Sequence, residues 1–160
     1  VMRAYDSRGP ATSLSEAILG RWGLATATDL VPRVYQELRG KQEIAALASV
    51  VEASAAAGDA TAGRILAAAG GELAVAAQAV ARRLALVDVV PCALAGGVIV
   101  GGRLVRQQFE AAAAILGLAL DPVTLVPDPA MGAIRLAQAA ASDHDTHSPK
   151  SQRPLPLLSV

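Results

Sequence analysis

The chain has 160 residues with 14 Lys+Arg against 14 Asp+Glu, so its formal net charge is zero and no basic face is advertised for nucleic acid or a membrane. The length is that of one ordinary domain with a buried core. Of the residues 53% are hydrophobic but only 2% aromatic, and 36 are alanine, so the core must rest on Leu, Val and Ile with backbones brought close at Ala and Gly faces.

Apolar runs without charge reach about ten residues, as from Ala111 to Leu120, where a membrane span needs ~20. No transmembrane helix is expected. The opening VMRAYDSRGP has no apolar signal region, and the single Cys92 excludes an internal disulfide or a Cys-based zinc site. A cytoplasmic protein is the expectation. Val1 precedes Met2, which leaves two readings open: a non-AUG start, or a chain cut from something longer.

Helical signals fill the first half. Ser13-Leu14-Ser15-Glu16 has capping-box spacing before Ala17, Ile18 and Leu19, with a stop near Gly23. Thr28-Asp29 predicts a cap for a second helix through Val31, Val34, Tyr35 and Leu38 to Gly40, with Pro32 in its first turns. A third helix fits Gln42 to Ala57, with Ile44, Leu47, Val50 and Val51 on one stripe and Gly58 as its stop. Asp59 then caps a long helix to about Leu86. Its positions Ile65, Ala69, Leu73, Ala76, Val80 and Leu84 step by three and four, as a core-facing stripe would. Gly70-Gly71 marks either a kink or a close crossing.

The period changes at Val89-Val90-Pro91-Cys92-Ala93-Leu94-Ala95, a short apolar block with a glycine stop that predicts a strand buried on both faces. Gly102 to Leu116 returns to helix, with Leu104, Val105, Phe109, Ala112 and Leu116 inward. Val123 to Val126 predicts a second strand, and Pro129 starts a last helix from Ala130 to Ala141. Helix, strand, helix, strand, helix is a βαβ unit behind a helical annex, so the strands should be parallel. From Ser142 onward the polar, proline-bearing sequence reads as a disordered tail.

Candidate chemistry is sparse. GVIVGGRL from Gly97 nearly spells a P-loop, but Arg103 takes the lysine position and Leu104 the Ser/Thr position, and leucine cannot ligate magnesium. His144 and His147 with Asp143 and Asp145 could hold a metal loosely; the plainer reading is a solvated tail. Cys92 reads as a buried, inert thiol. Asp88, Asp121 and Asp128 flank the predicted strands, where aspartate commonly forms turns or caps, and Arg82-Arg83 reads as a solvated helix end. No nucleophile, base and oxyanion donor come together, so no catalytic residue and no metal ligand is assigned.

Taken in order, VVEASAAAGDATAGRIL, ELAVAAQAVARRL, VPCALAGGV, RLVRQQFEAA and VTLVPDPAMGAIRLAQAA resemble the C-terminal part of the BadF/BadG/BcrA/BcrD ATPase family, and within it N-acetylglucosamine kinase-like proteins. RAYDSRGPATSLSEAILGRWGL and DLVPRVY are similar to the helical insertion of the same proteins. The resemblance implies a helix-rich α/β fold: a partial ribonuclease H-like, actin-like ATPase lobe over residues 1–141, with a helical insertion over 1–58 and a helix plus βαβα unit over 59–141. It implies ATP and magnesium as cofactors of a complete protein, N-acetylglucosamine or glucosamine as phosphoryl acceptor, and an N-terminal lobe or a homodimer partner to complete the cleft. ALAGG resembles the adenosine motif, which gives Gly96 and Gly97, with Val98 as neighbour, a nucleotide-binding role. The phosphate loops and the catalytic aspartate of such kinases would precede Val1, so the chain alone is expected to bind nucleotide weakly and not to turn over. Two alternatives stand beside this: a dehydratase-activating ATPase of the same family, which would need thiolates beyond Cys92, and a non-catalytic helical module whose open strand edge a partner completes.

Overall fold

The computed structural model describes residues 1–37 and 41–146. They form two compact units, Val1–Pro127 and a second that begins at Asp128. The first is helix-rich α/β. It opens with α1 (Met2–Tyr5), α2 (Leu14–Trp22), a 3-10 turn over Ala27–Asp29, α3 (Leu30–Pro32) and a π-helical turn over Arg33–Glu37. Then come α4 (Lys41–Ala45), α5 (Ala48–Ala56), α6 (Ala60–Arg83), β1 (Val89–Ala95), α7 (Gly97–Gly101), α8 (Arg103–Ile115) and β2 (Ala119–Val126). The second unit holds α9 (Ala130–Thr146), whose start is fixed by Asp128 Oδ1 accepting from the Ala130 N–H at 3.0 Å.

The helical first half is more broken than its periodicity predicts. The helix expected from Thr28 to Gly40 is a 3-10 turn, one helical turn and a π turn, and its end at Leu38–Gly40 lies outside the described residues. Its cap sits two residues earlier than expected: Thr26 and Asp29 form the capping box, with the Thr26 N–H donating to Asp29 Oδ2 at 2.8 Å. The expected Gln42–Ala57 helix breaks into α4 and α5. Ser13 does stand at the N-cap of α2, but its hydroxyl donates to Asp59 instead of capping its own helix.

Asp59 carries two loads. Oδ1 accepts from the Thr61 and Ala62 N–H groups and caps α6, while Oδ2 accepts from the Thr12 hydroxyl, the Ser13 N–H and the Ser13 hydroxyl. Five donors on one carboxylate, led by the Ala62 N–H, hold its pKa far below the usual carboxylate range. The tether joins the start of α2 to the start of α6.

Helix α6 crosses α8 closely, and it does so on a face other than the predicted one. Ala62, Leu66, Gly70, Ala74 and Ala81 are buried, whereas Ile65, Leu73, Val80 and Leu84 are exposed. Small residues win the inward face because they let helix axes approach. A Cβ at Gly70 would lie 2.6 Å from the Phe109 backbone nitrogen and 2.7 Å from the Gln108 carbonyl carbon, both in α8. Gly70 therefore marks a close crossing, not a kink. By length and composition α6 is also, among the described residues, the one helix apolar enough to cross a membrane, which the expectation from charge-free runs overlooked.

The two strands are parallel, as expected of a βαβ connection, and β2 begins four residues earlier than predicted. Val90 pairs with Leu120 and Cys92 with Val123, so Pro91 faces both Asp121 and Pro122 across a bulge. Prolines donate no ladder bond, and placing them at the irregularity spares the rest of the ladder. Strand β1 is not buried on both faces. Leu94 is buried and Val90 and Cys92 half-buried, while Val89, Pro91, Ala93 and Ala95 are exposed. The inward row packs with Ala74, Ile99, Phe109 and Ala113 into the core.

The tail expected from Ser142 is helical to Thr146, and 147–160 lie outside the described residues.

Two tests follow from this packing. Gly70→Ala should destabilise the protein by about 1–3 kcal/mol through overpacking against the α8 backbone, read by chemical denaturation. Gly71→Ala meets nothing within 4 Å and should instead stabilise by roughly 0.5–1 kcal/mol, the usual gain of replacing glycine within a helix. Asp59→Asn should flatten the acid limb of the stability curve. The folded carboxyl titrates below the unfolded one, so its contribution is complete above the unfolded value near ~3.9 and fades as pH falls toward the folded value. The gap in melting temperature between wild type and Asp59→Asn should thus close below about pH 4; a gap unchanged from pH 7 to pH 2 would refute this role.

Candidate functional site

The strand-to-helix turn after β1 is where sequence places the nucleotide-binding role, and the structure gives it a definite geometry. Strand β1 ends at Ala95, and Gly96 turns the chain with φ +106°, a conformation side chains rarely adopt. Gly97 and Val98 then open α7. A Cβ at Gly97 would meet nothing within 4 Å, so nothing in the chain itself requires glycine there. Val98 is 45% exposed beside it.

The turn borders a hollow of about 430 Å³. Its wall is made by Leu73 and Ala77 of α6, Cys92 and Leu94 of β1, the residues Gly96 to Ile99, and Phe109 of α8. No charged side chain lines it. Burial pushes the Cys92 thiol pKa up, which keeps it protonated and unreactive, although the residue is only half-buried.

A helix start ordinarily leaves orphan N–H groups, but the Leu104 and Val105 N–H groups at the start of α8 are not left free. Glu52 of α5 reaches across 52 residues of sequence and takes them: Oε1 accepts from the Leu104 N–H at 2.7 Å and from the Val105 N–H at 3.3 Å. A carboxylate at a helix N-terminus is favoured by both the orphan donors and the macrodipole. The fit is tight: a Cβ at Gly102 would lie 2.7 Å from that same Oε1 and 2.7 Å from the Val98 carbonyl oxygen. Glu52 carried no local signal in VVEAS, since its partner is distant in sequence.

Arg106 is likewise engaged. Its Nη1 donates to the carbonyls of Ile99 and Val100 at 3.1 and 3.2 Å and closes the C-terminal end of α7. The near P-loop match also dissolves, because Gly97–Gly101 is helix, not an extended cradle. Asp88 adopts φ +63° in the exposed turn before β1, Asp121 stands at the β2 bulge, and Asp128 caps α9. These are turn and cap roles. Among the described residues no group of three or more His, Cys, Asp or Glu could hold a metal ion; His147 lies outside them.

The hollow is therefore suited to a flat, uncharged, apolar group that approaches the Gly96–Gly97 backbone. No family model matches the chain, and neither the curated proteins nor the solved structures contain a match to it.

Glu52→Ala should cost about 1–2 kcal/mol of stability, as loss of a helix N-cap partner does, and Glu52→Gln should recover part of it because an amide oxygen still accepts. Chemical denaturation of the two variants against wild type measures both.

Proposed function

We propose that the chain forms the adenosine side of the cleft in an amino-sugar kinase-like protein, a late piece of a ribonuclease H-like, actin-like ATPase lobe. In that reading Gly96 and Gly97 let the backbone meet the nucleoside, with Val98 beside them. A complete protein would transfer the γ-phosphoryl of ATP, with magnesium, to a hydroxyl of N-acetylglucosamine or glucosamine in the cytoplasm. Phosphoryl transfer is mainly positioning and charge stabilisation by phosphate cradles and metal. The phosphate cradles and the sugar-deprotonating aspartate are not among these 160 residues, so they must come from an N-terminal lobe or a partner.

The resemblance motivates the reading, and one observation carries it furthest. The glycine turn after β1 opens on an apolar hollow with free space at Gly97, which is what a backbone-reading nucleoside site needs. The occupied α8 terminus adds a constraint. With Glu52 on those N–H groups and no cation on the wall, phosphates gain nothing at this turn.

At Gly96, Gly97 and Val98 the amide shifts in NMR titration should accordingly report adenosine and ATP affinities equal within about threefold, both weak. Gly97→Val should abolish those shifts without loss of stability, since valine is no worse than glycine in a helix and a Cβ there meets nothing within 4 Å. An absence of any shift at these positions would sink the nucleoside reading. ATP titrating these three amides far more tightly than adenosine would instead show a phosphate contact at the turn that the reading lacks. No sugar-dependent ADP release is expected from this chain alone.

A second reading, a non-catalytic module completed by a partner strand or a second copy, is favoured by the sheet. Two strands leave two ladder edges to be covered. Light scattering over a range of concentrations separates it: a rising mass favours the module, a constant monomer mass the lobe.

A further inference from the structure

A second hollow, of about 570 Å³, lies between the first turn of the chain and the start of α6, on residues that neither the proposed nucleoside site nor the core uses. Its wall is mixed. Met2, Pro10 and Ile65 give it an apolar side, while Arg3, Arg8 and Arg64 place three guanidinium-bearing residues around it. In a chain of zero net charge such a concentration is uneven, and the local carboxylates do not balance it. Asp6 pairs with Arg8 at 2.6 Å. Asp59 is committed to its five donors. Among the described residues Arg3 has no ion-pair partner, and Arg64 reaches only the Thr61 hydroxyl oxygen, at 3.0 Å, which leaves that hydroxyl proton available to donate.

We infer that this hollow is a binding site for a small phosphate monoester with an apolar body, held by Arg3 and Arg64 with the Thr61 hydroxyl as third donor. Guanidinium forks match the oxygens of phosphate in pairs, and a dianion answers two cations better than a carboxylate does. Arg8 remains tied to Asp6 and shapes the rim. The apolar side contributes by covering the ester's carbon body. Because the arginines are exposed, binding is modest and salt-sensitive.

The test uses the full chain at low salt with three probes titrated by NMR: phenyl phosphate, inorganic phosphate and benzoate. Phenyl phosphate should shift the amides of Arg3, Thr61 and Arg64 saturably, and inorganic phosphate should bind the same residues more weakly. Arg3→Gln and Arg64→Gln should each weaken phenyl phosphate by roughly tenfold with an unchanged melting temperature. Absence of saturation by about 10 mM, or affinity unchanged in the double variant, would overturn the site. Benzoate binding as tightly as phenyl phosphate would overturn its assignment to phosphate. Shifts confined to Gly96–Val98 would do the same for its location, independently of the nucleoside reading.

Discussion

Everything in the first unit hangs on how α8 is held. Its middle is pressed onto α6 where Gly70 removes the side chain that would strike the Phe109 nitrogen. Its N-terminal donors are met by Glu52 of α5, and at its other end Gln78 of α6 donates to the Leu116 carbonyl at 2.6 Å. A helix clamped at both ends and at its centre has no freedom to slide or roll. Its inward row, Val105, Phe109 and Ala113, is among the most deeply buried in the chain. Because α8 lies on the crossover from β1 to β2, this clamp also sets the strand pairing and the attitude of the Gly96 turn.

The clamp has an electrostatic consequence for the hollow beside it. The helix terminus that would suit a phosphate is filled by the protein's own carboxylate, and the Arg106 guanidinium is spent on the carbonyls that end α7. Polar groups near the turn thus satisfy one another, and what remains facing the hollow is backbone and hydrocarbon. Arg3, Arg8 and Arg64 line a separate hollow near α1 and the start of α6.

Legibility in the sequence tracks the range of the interaction. The Asp59 cap, the start of α8 after Gly102 and the two parallel strands rest on local chemistry, and all are present. What was hidden depends on distant partners. Glu52 looks like any surface glutamate until α8 is placed against it. The face of α6 was misread because larger apolar residues were assumed to point inward; an alanine-rich interior rewards close backbone approach, so Ala62 and Ala74 are fully buried while Val80 is not. The breaks in the first half are hidden for a related reason, since apolar residues at helical spacing, from Val31 to Leu38 and from Ile44 to Val51, fit one long helix and several short turns alike. The end of β1 at the Gly96 turn is legible in the glycine pair, but Gly97 and Val98 lie in α7, which is invisible within GVIVG because a five-residue helix has too little periodicity to register.

An interior built from small residues also changes what stability depends on. Where cores rest on large side chains, truncation opens cavities and is the main hazard. Here only Phe109 supplies a large aromatic to the core, and most buried positions are alanine, glycine or single aliphatics. Added volume at Gly70 has nowhere to go, because the neighbouring surface is the backbone of another helix and cannot change rotamer. The same economy leaves Ile65, Leu73, Val80 and Leu84 on the outer side of α6. Close backbone contact inside and large apolar side chains outside are therefore two results of one constraint, the narrow gap between α6 and α8.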